Sequence, residues 1–303
     1  MRALRPGLLL LAIGLPWPAF AHHLEAAPGA PLRATWDPWI IVPLAVFSLL
    51  FTVGWRRLAA RSNLRPVWRQ RALLYAIGMA TLGAALISPL HEAGERSFAL
   101  HMTEHEIIML LAAPLLVLAE PMVILLWAFP LPARRALGGV SSAAPVARAW
   151  AWLTGPITAT LLQAAALWLW HAPALFDLAL AHEGWHAAQH LSFLASALLF
   201  WTAMLGRRGR AGHAAQRGVA ALCLFATSVV SGALGALMAF SESPWYRGYS
   251  ALGMAPFGLS PAEDQQIAGL IMWIPGGLVH AVAALVLVRG LLRPLASVER
   301  SFG

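Results

Sequence analysis

Seven stretches of this chain stay apolar for about 20 residues, the length a helix needs to cross roughly 30 Å of hydrocarbon. They lie at approximately 39–58, 71–90, 98–127, 152–170, 185–205, 218–240 and 265–287. Lipid offers the backbone no hydrogen-bond partners, so each stretch must satisfy its own amides, and the helix is the structure that does so. The expected fold is therefore all-α, a bundle of seven transmembrane helices. Composition agrees: 59% of the residues are hydrophobic and only 11% charged, against about 25% charged in soluble proteins.

The arginines set the direction of the chain. Every basic residue is Arg, and 16 of the 19 arginines after residue 21 fall in alternate connections: Arg56, Arg57, Arg61, Arg65, Arg69 and Arg71; then Arg134, Arg135 and Arg148; then Arg207, Arg208, Arg210 and Arg217; then Arg289, Arg293 and Arg300. Positive loops stay on the cytoplasmic side, which places the mature N-terminus outside and the C-terminus inside. The net charge of +8 thus reports membrane topology and not nucleic-acid binding. Residues 1–21 carry Arg2 and Arg5, a short apolar run and Ala19-Phe20-Ala21, the pattern of a cleaved signal peptide. The expected organisation is a signal peptide at 1–21, an outer segment at 22–38, the seven-helix domain at 39–290 and a cytoplasmic tail at 291–303. The stretch 128–145 reads as an inner loop, and tryptophans near span ends read as interfacial anchors.

Chemistry is concentrated on the outer side. His182, His186 and His190 recur every four residues, so a helix would stack them along one face. His101 and His105 repeat the step. Polar side chains in a span are expensive and face the bundle interior, so two such pairs at similar depth are expected to face each other and share an ion. His171, at the outer end of the fourth span, is a further candidate. His182 reads as solvated and His91 as a loop residue. His213, Cys223 and His280 lie towards the inner face, His280 about 24 Å along its helix from Asp264. With one cysteine, Cys223, there is no disulfide and no thiolate cluster. A soft or borderline metal held by histidine, with Met102 and Met109 nearby, follows from that donor set: copper first, zinc second, with haem ligation by paired histidines a further option.

Two further features carry alternatives. His101-Met102-Thr103-Glu104-His105 is a literal H-x-x-E-H, the inverted zinc-protease signature, in which Glu104 would be the general base; Glu104 can equally be a partner that orients a ligand histidine. Ser260-Pro261-Ala262-Glu263 is a capping box with proline at the first helical position. It starts the last helix, with Asp264 just inside it.

HMTEHEIIMLLAAPLLVLAEP, WHAPALFDLAL, WHAAQHLSFLASALLFW and DQQIAGLIMW, in that order, resemble the blocks of the multi-spanning CtaG-like cytochrome c oxidase assembly factor family, over roughly residues 40–290. The resemblance implies a seven-span protein of the bacterial inner membrane that helps mature haem-copper oxidase, a non-enzymatic role. Its partners would be the bilayer, cytochrome c oxidase subunits and a periplasmic copper chaperone. The histidines that match the family's blocks are His101, His105, His171, His186 and His190, which makes them the expected metal ligands. The competing classes are a membrane zinc metalloprotease using His101, Glu104 and His105, and a copper or haem transporter, for which Gln163 and His280 are isolated inner polar groups.

Overall fold

Ser and Asp side chains before proline start several of the helices. Asp37 accepts from the Trp39 amide at 3.3 Å and Pro38 takes the first position of α1 (Pro38–Ala59). The same device recurs at Ser88, whose hydroxyl accepts from the Leu90 amide at 3.2 Å and opens α3 (Pro89–Arg96) after α2 (Pro66–Ile87). The capped residue satisfies an orphan amide, and proline has no amide to orphan. These and the following elements come from a computed structural model that describes residues 31–61, 66–206 and 214–299. The expected signal peptide, His213, and Arg65, Arg207, Arg208 and Arg210 lie outside the described residues.

α4 spans Phe98–Ala119, with a π-helical stretch at Ile107–Ala112. It stops earlier than the expected end near 127. Glu120 turns into the left-handed region at φ 46°, and Pro121 follows. The Glu120 carboxylate accepts from Arg71 at 2.8 Å, tying this break to α2. The short α5 (Met122–Trp127) then packs on α1, where Gly54 lies so near the Ile124 carbonyl that no side chain fits. The expected inner loop at 128–145 is instead helical, α6 (Leu131–Ser142) running into α7 (Ala144–Leu153). Proline near each start supports helix there, so its presence did not signal a loop.

The fourth expected span is broken. α8 (Pro156–Trp170) has 15 residues, and α9 (Pro173–Ala181) leaves it at 73° across His171 and Ala172. Pro173 has no amide to donate backwards and disfavours helix in the residue before it. α10 (Glu183–Leu205), α11 (Ala214–Ala239), the short α12 (Arg247–Leu252) and α13 (Pro261–Glu299) complete the order. Among the described residues six helices are long and apolar enough to cross a membrane, and they number seven when the bent α8–α9 pair is counted as one span. Apart from an isolated bridge between Ala255 and Leu259, the regular structure of the described residues is helical.

The larger core lies among α4, α8, α10, α11 and α13, around Phe98, Phe176, Phe193, Phe200, Trp201 and Met238. A smaller one joins α1, α2 and α5 through the stacked rings of Phe51 and Tyr75, 3.9 Å apart. α4 therefore sits at the centre, packed by α2, α3, α10 and α13. All the site histidines project near its first two turns.

Candidate metal centre

The two His-x-x-x-His pairs meet. On α4, His101 and His105 lie one turn apart with ring centroids 4.2 Å apart; on α10, His186 and His190 are 4.4 Å apart. Across the interface His101 stacks on His186 at 5.3 Å, and His105 meets His190 edge-on at 4.9 Å. One nitrogen from each of His101, His186 and His190 falls within 4.8 Å of the other two, close enough for all three to ligate one ion. His105 lies just beneath this trio, against Phe193, and belongs to no three-residue group of that kind.

α3 crosses over the cluster and adds residues that the sequence reading set aside. Its close approach depends on Gly94, where a Cβ would fall 3.2 Å from the His101 Cα. His91 is consequently no loop residue: its ring stacks on His186 at 5.3 Å, and its Nδ1 lies 2.7 Å from Glu104 Oε1. Two further groups fall within the same 4.8 Å limit, His91 with Glu104 and His190, and His91 with Glu95 and His186. The Ser88-Pro89 start signal was the available clue that residue 91 is helical. Burial alone would push the His91 imidazole down, but the Glu104 carboxylate bonded to it outweighs this and raises its pKa above the ordinary value.

Polar atoms in the cluster are left without partners. Both nitrogens of His105, the Nε2 atoms of His186 and His190, and Glu104 Oε2 are buried and make no hydrogen bond. Gln189, fully buried between the two α10 histidines, has neither amide atom in a bond of ordinary geometry, although it lies in electrostatic reach of His101. Buried polar groups are nearly always paired, so a cluster of orphaned imidazole and carboxylate atoms in lipid-embedded protein fits a bound cation, to which each neutral imidazole can offer one lone pair. The donors are imidazoles and carboxylates, with no thiolate among the described residues of the cluster.

The other candidates stand apart. His171 lies at the α8–α9 break, outside the three groups. The Leu167 carbonyl, 2.7 Å from Nδ1, fixes the proton there, so the Nε2 lone pair faces the Met102 sulfur at 3.4 Å. His182 is exposed and acts as the N-terminal flank of α10, its carbonyl accepting from the Trp185 and His186 amides at 3.0 Å. Asp264 is not a ligand but a cap: buried, it accepts from the Ser97 hydroxyl at 2.7 Å and the Phe98 and Ala99 amides at 2.6 and 3.3 Å, holding the positive end of α4 from another helix. Gln265 accepts from the Trp245 amide at 2.6 Å and donates to the Ser243 carbonyl at 3.2 Å, so the start of α13 orders the loop above the site. Glu263 makes the expected capping box with Ser260.

The H-x-x-E-H motif is arranged for binding between helices. The three-residue groups join His101 to α10 and not to His105, and the near oxygen of Glu104 is held by His91.

Fold and site together define a polytopic helical membrane protein with a histidine cluster where two spans meet beneath a short crossing helix. The sequence model described as cytochrome c oxidase caa3 assembly factor (Caa3_CtaG) matches residues 49–294, and the chain belongs to that family. It is also 28% identical over 239 residues to two mycobacterial proteins, uncharacterized protein Mb0105 of Mycobacterium bovis and uncharacterized protein MT0111 of Mycobacterium tuberculosis. The match covers 75% of this chain and 34% of each relative, so the chain spans about a third of their length. No solved structure matches.

Proposed function

We propose that this protein carries copper as cargo during maturation of a haem-copper cytochrome c oxidase, taking it up at the histidine cluster and passing it to an oxidase subunit. The observation that carries the reading is the convergence of His101, His186 and His190 from two spans onto one ligand-sized space, with orphaned buried nitrogens around it. Imidazole donors suit Cu(I) and Zn(II); membership of an oxidase assembly family favours copper.

The three overlapping groups support transfer as well as binding. The group His91, Glu95 and His186 includes an exposed carboxylate, whereas His101 is buried. Each pair of groups shares one histidine: His91, His186 or His190. An ion can therefore move between the exposed Glu95 and the buried His101 by exchanging two ligands while a third keeps hold. Glu104 steadies His91 and supplies negative charge close to the path. The cluster is assigned to the outer face and the arginine-rich end to the cytoplasm, because charged loops resist export.

The test is replacement in a strain lacking its own copy of the gene. The protein with His186→Ala and His190→Ala is expected to reach the membrane in normal amount yet leave the oxidase short of copper, measured by metal content of the purified oxidase. A fully copper-loaded oxidase in that strain would overturn the reading.

A further inference from the structure

The end of the bundle opposite the histidine cluster gathers cations around one indole ring. α4 runs 22 residues from beside the cluster to Ala119, about 33 Å at 1.5 Å per residue, which matches the thickness of the hydrocarbon layer. Beyond the turn at Glu120, α5 ends in Trp127, and two segments bring arginines to it. The Arg134 guanidinium, from the first turn of α6, lies 4.2 Å from the ring centroid. The Arg61 guanidinium, just past the end of α1, lies 6.0 Å from the same centroid. Arg57, one turn before Arg61, donates to the neighbouring Ala128 carbonyl at 2.6 Å. α6 itself begins after Pro130 with no side-chain cap. Its positive end is an unfavourable place for Arg134 and Arg135 and a favourable one for an anion.

The two segments that build this patch supply no counter-charge. Residues 38–91 and 121–176 contain no Asp or Glu, and the carboxylate between them, Glu120, is bonded to Arg71 at 2.8 Å. Arg134 Nε is buried and makes no hydrogen bond within the described residues. Attraction to the indole face stabilises the guanidinium charge but accepts none of its N–H groups, which point outward in the guanidinium plane. That fork matches a phosphate, which takes two parallel N–H bonds from one arginine. The surroundings are apolar as well as basic. α6 and α7 expose Leu131, Val140 and Trp152 together with Arg135 and Arg148. Aliphatic residues, tryptophan and arginine on short helices at span ends are the make-up of helices that lie among lipid headgroups. A soluble anion would need no such flank, whereas a phospholipid fits both parts of it.

We propose that Arg61, Arg134 and Trp127, with the start of α6, hold the phosphate headgroup of an anionic phospholipid in the leaflet at this end of the bundle. The inference is independent of the metal at the other end. The test uses full-length protein in detergent, titrated with phosphatidylglycerol or with phosphatidylcholine of the same acyl chains, and bound lipid is counted by native mass spectrometry. Wild type is expected to bind phosphatidylglycerol in preference. The double variant Arg61→Gln, Arg134→Gln should bind it about tenfold or more weakly, since each basic side chain near an anionic headgroup is worth about fivefold. Trp127→Leu, which keeps every charge and removes the ring that gathers them, should also weaken it. Arg56→Gln with Arg148→Gln, which removes the same charge elsewhere at that end, should leave it unchanged. Thermal unfolding confirms that each variant is folded. Equal binding of the two lipids by wild type, or equal losses in the two double variants, would overturn the site in favour of net charge alone. Unchanged affinity in Trp127→Leu would overturn a site built on that ring. Displacement of the lipid by inorganic phosphate, beyond that caused by chloride of equal ionic strength, would make it a soluble-anion site and overturn the lipid assignment.

Discussion

Glu104 has no exposed surface, yet it stands beside His91 at 2.7 Å and His190 at 3.8 Å. A carboxylate so placed orients a ligand ring and adds charge near the ion, contributions worth about 10- to 100-fold in affinity. Glu104→Gln should weaken Cu(I) binding by that order with the fold intact, measured by competition with a chelator; equal affinity would reduce Glu104 to packing. His91 gives a second expectation, for the metal-free protein. Its folded pKa is raised, so the stability it contributes is fully present below its unfolded pKa and is lost as pH rises through the folded value. Thermal unfolding of wild type and His91→Gln between about pH 5 and 8, the range over which histidine titrates, should show the wild-type advantage largest at low pH. An advantage that grows with pH would contradict the pairing. The four-residue histidine steps were legible because helical spacing alone puts them on one face. His91 and Gln189 were not, since their roles come from α3 lying across α4 and from burial that the sequence does not print.

At the scale of elements, the position of α4 is set from outside itself. Asp264 reaches from the first turn of α13 to the first amides of α4, while Glu263 closes its own helix's capping box. Losing a cap costs about 1–2 kcal/mol. Asp264→Ala should lower thermal stability by that amount and weaken Cu(I) binding as His101 loses its register against α10. Glu263→Gln, at an exposed site, should change copper affinity little; if both substitutions behave alike, the cross-helix cap is not what places His101. The capping box could be read because its residues are adjacent in sequence. The longer reach of Asp264 could not, because its partners are Ser97, Phe98 and Ala99. The span ends went wrong for a related reason: hydropathy runs on past Ala119 into α5, and only the left-handed turn at Glu120 divides them.

The whole molecule presents two different ends. One carries α3, the histidine cluster and the start of α13; the other carries Arg56 and Arg57 in the last turn of α1, with Arg134 over the Trp127 ring at 4.2 Å. Close helix packing holds the ends apart: at Gly235 a Cβ would fall 2.7 Å from the Gly269 carbonyl, so α11 and α13 touch through backbone. Gly235→Val should force them apart and destabilise the bundle by about 1–3 kcal/mol, the usual penalty of overpacking, read by thermal unfolding. The same asymmetry predicts an orientation. The proposed handover of copper from the outer face requires the histidine end to be outside, and the positive-inside rule expects the arginine-bearing end to be inside. Both demands meet in one labelling experiment. Cys223 is buried and is replaced by Ser; single cysteines are then introduced by Glu95→Cys and Arg135→Cys, both at exposed positions. A membrane-impermeant maleimide added to spheroplasts should modify the first and reach the second only after lysis. The reverse pattern would put the cluster in the cytoplasm, where an outward handover is impossible, and the proposed function would fall with the orientation.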